Sequence, residues 1–494
     1  MNYSKFSYLL LGFLIISGCD AQPNLSTEPN KSTDTEWINS LLEDFKKNEN
    51  IHGLAFAIFD SAQIIKEICL GESTYNYQID RHTLFSIQSI SKSITALAVM
   101  FAVQDSILIL DNSISEYLPE FTIQSCFEAN PEQKITLEML LSHTAGFTHE
   151  APVGNNFEFD QSSFSEHLNS ISETWLKFPA GSNYAYSNLG FDMAAHIIEQ
   201  ASGMEFNNYL SKKIFVPLGM ELTTINDREV VESTNKTEGT IRFTKNKHLQ
   251  IPLIGSGAVY TNLHDFIQYV QFLMCNGHAD ETTIDNRYLF NMYTIRRNNY
   301  GLGTYIGKSD NNIFVNHNGG GYGYSASYIW FVEYNLGGVL LCNSQCDTYN
   351  ATEKILKEYI IRTNLKRDTS LSKAFQEISM KYFENPEVYN AVQRSFCTND
   401  TLYNNQWEKY LGTYSLVYKG FDPKWFTKLA LALGYHPQKL DIYQENQLLK
   451  IKSQDGVSIL REYKEGLFFT NEGEVVDFSS GIPTYRNIKL EKIK

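Results

Sequence analysis

No run of apolar residues in this chain of 494 reaches the roughly 18 positions that a membrane-spanning helix requires. Positive charge is scarce as well. Lys and Arg number 41 against 56 Asp and Glu, leaving a net charge of −15. A surface of that sign repels phosphate backbones, which argues against a general nucleic-acid binder. There is no CxxC motif. Seven Cys are scattered at 19, 69, 126, 275, 342, 346 and 397, and Cys342/Cys346 lack a second close Cys/His pair. A zinc site is therefore not expected. The plainest reading of these thiols is small buried hydrophobes. Disulfides stay open if the compartment is oxidising, with a pairing that spacing does not reveal. No repeat at solenoid spacing is evident.

Hydrophobic residues make up 43% and charged residues 20%, and 30 Tyr and 31 Phe supply ample core. That balance is globular, and the length implies two or three units. The first 18 residues carry Lys5 and then an apolar run from Phe6 to Ile16, too short to span a bilayer and suited to a secretory leader. The run ends Ile16-Ser17-Gly18-Cys19, which resembles a bacterial lipobox; the alternative is an ordinary cleaved signal and a chance Cys. Residues 1–19 are thus expected to be a lipoprotein signal with Cys19 lipidated. Residues 20–36 are polar and rich in Pro, Ser and Thr, as a flexible tether should be. This predicts a lipid-anchored protein of the bacterial envelope, facing periplasm or exterior.

The stretches 54–60 and 63–71 read as a β-hairpin, and strands return at 313–317, 325–333 and 337–343. Helices and Gly/Asn/Ser-rich loops lie between. A sheet built from both ends of a segment with helices inserted is an α/β (α+β) arrangement, here with an antiparallel sheet flanked by helices over residues 37–362. Residues 363–406 read as a polar connector. From Trp407 to 494, short β-like runs at close spacing suggest a small C-terminal β domain.

Three motifs carry chemistry. Ser89-Ile90-Ser91-Lys92 opens an apolar helical stripe of Ile90, Ile94, Leu97, Ala98 and Phe101. Ser89 and Lys92 then share a face, and a Ser hydroxyl at a helix start meets free N–H groups. A Lys serves as base only where burial or charge frees its amine. SxxK also occurs at Ser233…Lys236 and Ser370…Lys373, and a capping Ser with an exposed Lys is the bland alternative. Tyr186-Ser187-Asn188 sits on a loop feeding a helix that ends at Gly203, a usual place for working residues. YxN recurs at Tyr403…Asn405 and Tyr485…Asn487. His317-Asn318-Gly319 follows a strand and enters a Gly run where backbone can approach a ligand closely; an incidental hairpin His is its alternative.

In this order and setting the triple resembles the serine β-lactamase/DD-peptidase superfamily, nearest its class C and esterase-like branch. ITLEMLLSHTAGF (135–147), VPLGMELT (216–223), the segment 255–273 and YGLGTY (300–305) extend the similarity over about 37–345. The resemblance implies a β-lactamase/transpeptidase-like fold and a serine hydrolase acting on an ester or amide, whether a D-amino-acid peptide, an ester or a β-lactam. It implies Ser89 as the acylated nucleophile, with proton traffic shared by Lys92 and Tyr186, either of them the base, and a mechanism that needs no metal or organic cofactor. Asn188, His317, Asn318, Gly319 and Gly320 would hold substrate, and the N–H groups of Ser89 and Gly320 would form an oxyanion hole. His143, within LLSHTAG, reads as structural. The third motif departs from its usual Lys, so a fixed cation is missing at His317. That fits peptidase- or esterase-like members better than strong penicillinases. Residues 407–494, beginning WEKYLGTYS, resemble the lipocalin-like domains appended to such hydrolases, with Trp407, Tyr410 and Tyr414 as core. Expected partners are a small-molecule or peptide substrate and, through Cys19, a membrane. Two rivals stand beside this: a sensor that acylates and stalls, and an envelope lipoprotein working through its C-terminal domain.

Overall fold

The computed structural model describes residues 35–493 except 74–76, 156–161, 242–243, 246–251, 311, 392–394, 399–401 and 418–437. The leader, Cys19 and the tether up to residue 34 lie outside the described residues.

The hydrolase part is built on a six-stranded antiparallel sheet. Helix α1 (Glu36–Asn48) precedes strands β1 (Gly53–Phe59) and β2 (Ile64–Gly71). Then follow helices α2 (Ser91–Gln104), α3 (Phe164–Ile171), α4 (Asn188–Ser202), α5 (Leu263–Met274) and α6 (Asn286–Tyr293). Strands β3 (Tyr305–Ser309), β4 (Asn312–Gly321), β5 (Tyr324–Phe331) and β6 (Leu336–Cys342) complete the sheet in the order β2-β1-β6-β5-β4-β3. Helix α7 (Thr348–Thr363) closes it.

Strand alternation explains why both faces are covered. Along β1, Leu54, Phe56 and Ile58 pack with Ile38 and Leu42 of α1 and Ile355 and Leu356 of α7. Ala55, Ala57 and Phe59 face the other way, into a larger core with α2, α4 and α5. Side chains at period two point to opposite sides, so a strand buried on both faces is apolar throughout.

Helix α2 is more deeply placed than its apolar stripe foretells: every residue from Ser91 to Ala102 is buried. Its polar side chains are tolerated because each has a partner. The Ser93 hydroxyl bonds Tyr269 at 2.7 Å and Tyr328 at 3.1 Å, Ser91 Oγ accepts from the Val259 N–H at 3.1 Å, and Thr95 donates to the Gly255 carbonyl at 2.6 Å.

Within 363–406, expected as a polar connector, helix α8 (Lys373–Glu384) places Phe375 and Tyr382 in the main core against Tyr293 and Trp330. Its apolar positions are few but share one face, which a polar composition conceals.

The C-terminal part is a nine-stranded, barrel-like antiparallel sheet. Its strands are β7 (Gly412–Leu416), β8 (Lys439–Glu445), β9 (Leu448–Ser453), β10 (Gly456–Ile459), β11 (Arg461–Lys464), β12 (Leu467–Phe469), β13 (Val475–Asp477), β14 (Thr484–Tyr485) and β15 (Ile488–Lys492). Trp407, Tyr410 and Tyr414 fill its core with Phe468 and Val476. It is tied to the hydrolase part by an ion pair, Lys177 Nζ to Glu474 Oε1 at 2.6 Å, and by close approach of Gly473, where a Cβ would stand 2.1 Å from the Lys177 carbonyl oxygen. A disulfide joins Cys126 to Cys397, with Cα atoms 5.4 Å apart. For these two thiols it replaces the buried-hydrophobe reading, which Cys342 fits.

Candidate active site

Ser89 lies on a 3₁₀ turn, Gln88–Ile90, immediately before α2, so the α-helix begins two residues later than the sequence pattern suggests. Gln88 ahead of it holds a left-handed backbone, φ 49°, its side-chain amide donating to Ser86 Oγ at 2.7 Å. Non-Gly residues take that conformation only where surroundings enforce it. The turn is pressed against β4. Pairing of β4 with β3 stops at Asn316, so from His317 onward that edge of β4 is free of β3. A Cβ at Gly319 would stand 2.1 Å from the Ile87 carbonyl oxygen and 3.0 Å from the Ser89 nitrogen, whereas one at Gly320 would meet nothing within 4 Å. Gly319 is therefore demanded by packing against the Ser89 turn, and Gly320 opens onto free space.

Lys92 is fully buried and not the exposed cap partner of the bland reading. Its ammonium lies 3.3 Å from Ser89 Oγ, donates to Asn188 Oδ1 at 2.8 Å and to the Ser256 carbonyl at 2.9 Å, and stands 4.8 Å from the centre of the Tyr186 ring. Burial pulls its pKa down to about 7, outweighing the attraction of Asp192 and Glu150. Tyr186 is half-buried and hydrogen-bonded to Ser89; burial raises its phenol well above the ordinary value, the bond to Ser89 draws it down, and the Glu150 charge raises it. Asn188, the first residue of α4, turns its oxygen to Lys92 and its amide nitrogen to Glu150 Oε1 at 3.5 Å.

His317 is buried. Its Nδ1 donates to the Asn318 carbonyl at 2.7 Å, and Nε2 accepts from the Tyr300 hydroxyl at 3.2 Å. Burial and the Lys92 charge hold its pKa down at about 3 against the opposing Asn318 bond, so the ring is neutral near pH 7. His143, in a left-handed conformation, accepts from the Ser187 N–H at 3.1 Å and packs on Tyr186, its ring centre 4.2 Å away. Its placement directly under the Tyr186 ring is what a packing motif alone would not reveal.

The structure thus brings Ser89, Lys92, Tyr186, Asn188 and the His317–Gly320 segment together. The other SxxK pairs bond elsewhere: Lys236 donates to the Val230 carbonyl at 2.8 Å, and Ser370 Oγ to Asp368 Oδ1 at 2.6 Å. Sequence reasoning missed Glu150, 4% exposed by its side chain and bound by His149 Nδ1 at 2.7 Å. It missed Asp192, fully buried in an otherwise apolar stretch of α4; a carboxylate inside FDMAAHII was the available signal. It also missed Asn487 at the β14–β15 turn, whose amide donates to the Glu150 carbonyl at 2.8 Å and to Thr148 Oγ1 at 3.2 Å. Loop 148–150 is in turn bonded to the second motif, through Ser187 Oγ to the Thr148 carbonyl and the Asn188 N–H to the His149 carbonyl. A separate polar cavity of about 370 Å³, lined by Lys46, His52, Glu72 and Asn343 among others, contains none of these groups.

A Beta-lactamase family model matches residues 38–357, the whole of this centre included. The chain belongs to the beta-lactamase family. Relatives in this beta-lactamase family include Beta-lactamase-like protein 4 of Dictyostelium discoideum, 27% identical over 47% of this chain and 44% of that protein. Penicillin-binding protein 4* of Bacillus subtilis is 23% identical over 64% of this chain and 74% of its own length. The D-alanyl-D-alanine-carboxypeptidase/endopeptidase AmpH of Escherichia coli is 26% identical over 54% and 68%. The chain thus spans under half of the Dictyostelium relative. These relatives mark a family of serine hydrolases. The fold, C-terminal sheet included, is that of an octameric penicillin-binding protein homologue from Pyrococcus abyssi: TM-score 0.58 at 19% identity, covering 93% of this chain and 96% of that one.

Proposed function

We propose that this protein is a serine hydrolase working by two-step acyl transfer, with Ser89 as nucleophile and Lys92 as its base. The observation that carries the reading is Lys92 itself: a buried amine with a pKa near 7, 3.3 Å from the Ser89 hydroxyl. A base whose pKa lies near working pH is partly neutral and still basic enough to take the proton. Tyr186, whose phenol keeps its proton, is better suited to relay and return it than to start the reaction.

In the first step the Ser89 proton moves to Lys92 as Oγ bonds the substrate carbonyl carbon. The N–H groups of Ser89 and Gly320 receive the oxyanion. Collapse breaks the bond to the leaving group, which takes a proton from Lys92 through Tyr186. Water then attacks the acyl ester by the same route and restores Ser89. Asn188, Asn318 and Gly319 hold the substrate and the Lys92 amine in register.

The neutral His317 shapes substrate choice. With no fixed cation at this position, a substrate that binds through a carboxylate loses its partner. Small esters and D-amino-acid amides fit better than penicillins. A panel of p-nitrophenyl acetate and butyrate and a D-alanine anilide, set against two carboxylate-bearing substrates, a D-alanyl-D-alanine peptide and a chromogenic β-lactam, tests this. Turnover of the esters and the anilide exceeding that of both carboxylates is expected; a dominant β-lactamase rate refutes the substrate assignment. Envelope placement through a lipid on Cys19 belongs to the same proposal. The Cys126–Cys397 disulfide supports it, since such bonds persist in oxidising compartments.

A further inference from the structure

Beneath Lys92 lies a second set of buried polar groups that acyl transfer does not use. Asp192 of α4 is wholly inaccessible. Its carboxylate accepts from the backbone N–H groups of Gly255 and Ser256, each at 3.0 Å, and from the Ser256 hydroxyl at 3.0 Å. A further bond comes from His167 Nε2 of α3 at 3.2 Å. Ser256, so held, is the residue whose carbonyl receives Lys92 at 2.9 Å. The neighbouring Gly255 carbonyl is tied to α2 by Thr95, one turn beyond Lys92, and a Cβ at Gly255 would overlap the Phe191 carbonyl oxygen at 2.1 Å. The turn that presents the Ser256 carbonyl is therefore fixed from both sides.

The charge on His167 follows from its partners. Nδ1 lies 2.7 Å from the Val153 carbonyl oxygen, which only accepts; Nε2 faces a carboxylate that also only accepts. With an acceptor at each ring nitrogen, this geometry favours the imidazolium, in which both nitrogens donate. Burial opposes that charge, but the hydrogen bond and charge of Asp192, the Val153 bond and the Glu150 charge prevail, and the pKa is raised.

We propose that His167 and Asp192 form a buried ion pair that positions Lys92 through Ser256 and, by cancelling the Asp192 charge, keeps that carboxylate from locking Lys92 as an ammonium. The groups that face Lys92 are Asp192 and Glu150 as anions, with the rings of His143 and His317 and the Tyr186 phenol around it. Those that face His167 are Asp192 and Glu150. His149 pairs with Glu150. Without the imidazolium, the Asp192 and Glu150 carboxylates would both face Lys92 with their charge uncancelled on the Asp192 side. Asp192 and His167 are thus positioning residues, and the inference rests on Lys92 being the base.

Two measurements separate this from a packing role. In the purified protein, ¹⁵N-histidine NMR should show His167 with both ring nitrogens predominantly protonated at about pH 6.5, where a free imidazole is half titrated. A neutral His167 there overturns the ion pair, whatever the protein's activity. Second, the acid limb of kcat/KM for p-nitrophenyl butyrate should move in opposite directions: up by about one pH unit or more in His167→Gln, and down in Asp192→Asn. Rates that fall with the limb unmoved in both variants overturn the tuning and leave a structural pair. Should the unaltered protein react with no acyl probe, the acyl-transfer reading fails while the NMR result still decides the ion pair.

Discussion

Lys92 reaches Asn188 Oδ1 at 2.8 Å but Ser89 Oγ only at 3.3 Å. The amine is held by its scaffold first and by the Ser89 hydroxyl second, so its position does not depend on the Ser89 proton. The shorter bonds, to Asn188 and the Ser256 carbonyl, also orient its free electron pair once it is neutral.

A pH profile follows from that burial. The proposed mechanism uses Lys92 as the neutral amine, so kcat/KM should rise with pH through a midpoint at about 7. Lys92→Met should lower acylation by roughly 10²–10⁴-fold, the usual worth of a positioned base. A profile flat from pH 5 to 9 with any acyl substrate would contradict the assignment.

Tyr186→Phe isolates the relay. Beyond its ring contacts, the Tyr186 hydroxyl bonds Ser89, so its removal should leave the melting temperature within a few degrees while cutting turnover roughly 10²–10⁴-fold. Thermal melts and steady-state kinetics on the same samples check both halves.

The two glycines of β4 should part company. Gly319→Ala drives a methyl onto the Ile87 carbonyl and should displace the Ser89 turn, lowering both stability and activity. Gly320→Ala meets open space and should fold normally, so any loss of activity there reports on the substrate side. Equal melting temperatures for the two variants would refute this reading of the strand.

His317 predicts an acid-sensitive fold. Its pKa falls from 6.5 free to about 3 when folded, so between those values the unfolded chain binds the extra proton. Stability contributed by the neutral ring is present above about pH 6.5 and is lost as pH falls toward 3. His317→Gln should flatten the dependence of stability on pH in that window, and should leave the kinetic midpoint near 7 in place, because that midpoint belongs to Lys92. Urea melts from pH 3 to 7 test the first statement.

The C-terminal sheet should matter to the site through Asn487. Removing its amide in Asn487→Ala loses bonds worth roughly 1 kcal/mol each, a modest loss of stability. It frees loop 148–150 and should reduce kcat/KM more than it shifts melting. Intact mass should show one disulfide, and reducing Cys126–Cys397 should lower the melting temperature.

Much of the site was legible because short-range rules encode it. The i,i+3 spacing of Ser89 and Lys92 on an apolar helix, the loop-to-helix setting of Tyr186 and Asn188, and the glycines after His317 are local patterns. The short unbroken apolar run of β1 is likewise a local pattern, that of a strand with both faces covered. What was not legible depends on chain-distant partners. Asp192 meets Ser256 across 64 positions, and Asn487 meets Glu150 across 337. The Tyr485…Asn487 pattern looked like a chance repeat of the second motif, yet its Asn reaches the loop beside that motif. Cys126 and Cys397 lie 271 residues apart, beyond any spacing rule. Composition hid the role of Phe375 and Tyr382, since a mostly polar helix can still present one apolar face.

The most direct test of the account is intact-mass spectrometry of the purified protein after brief exposure to p-nitrophenyl acetate and to a fluorescent penicillin. The account predicts a covalent acyl adduct that maps to Ser89 and is absent from Ser89→Ala. Labelling that persists undiminished in Ser89→Ala, or maps to another residue, would contradict it.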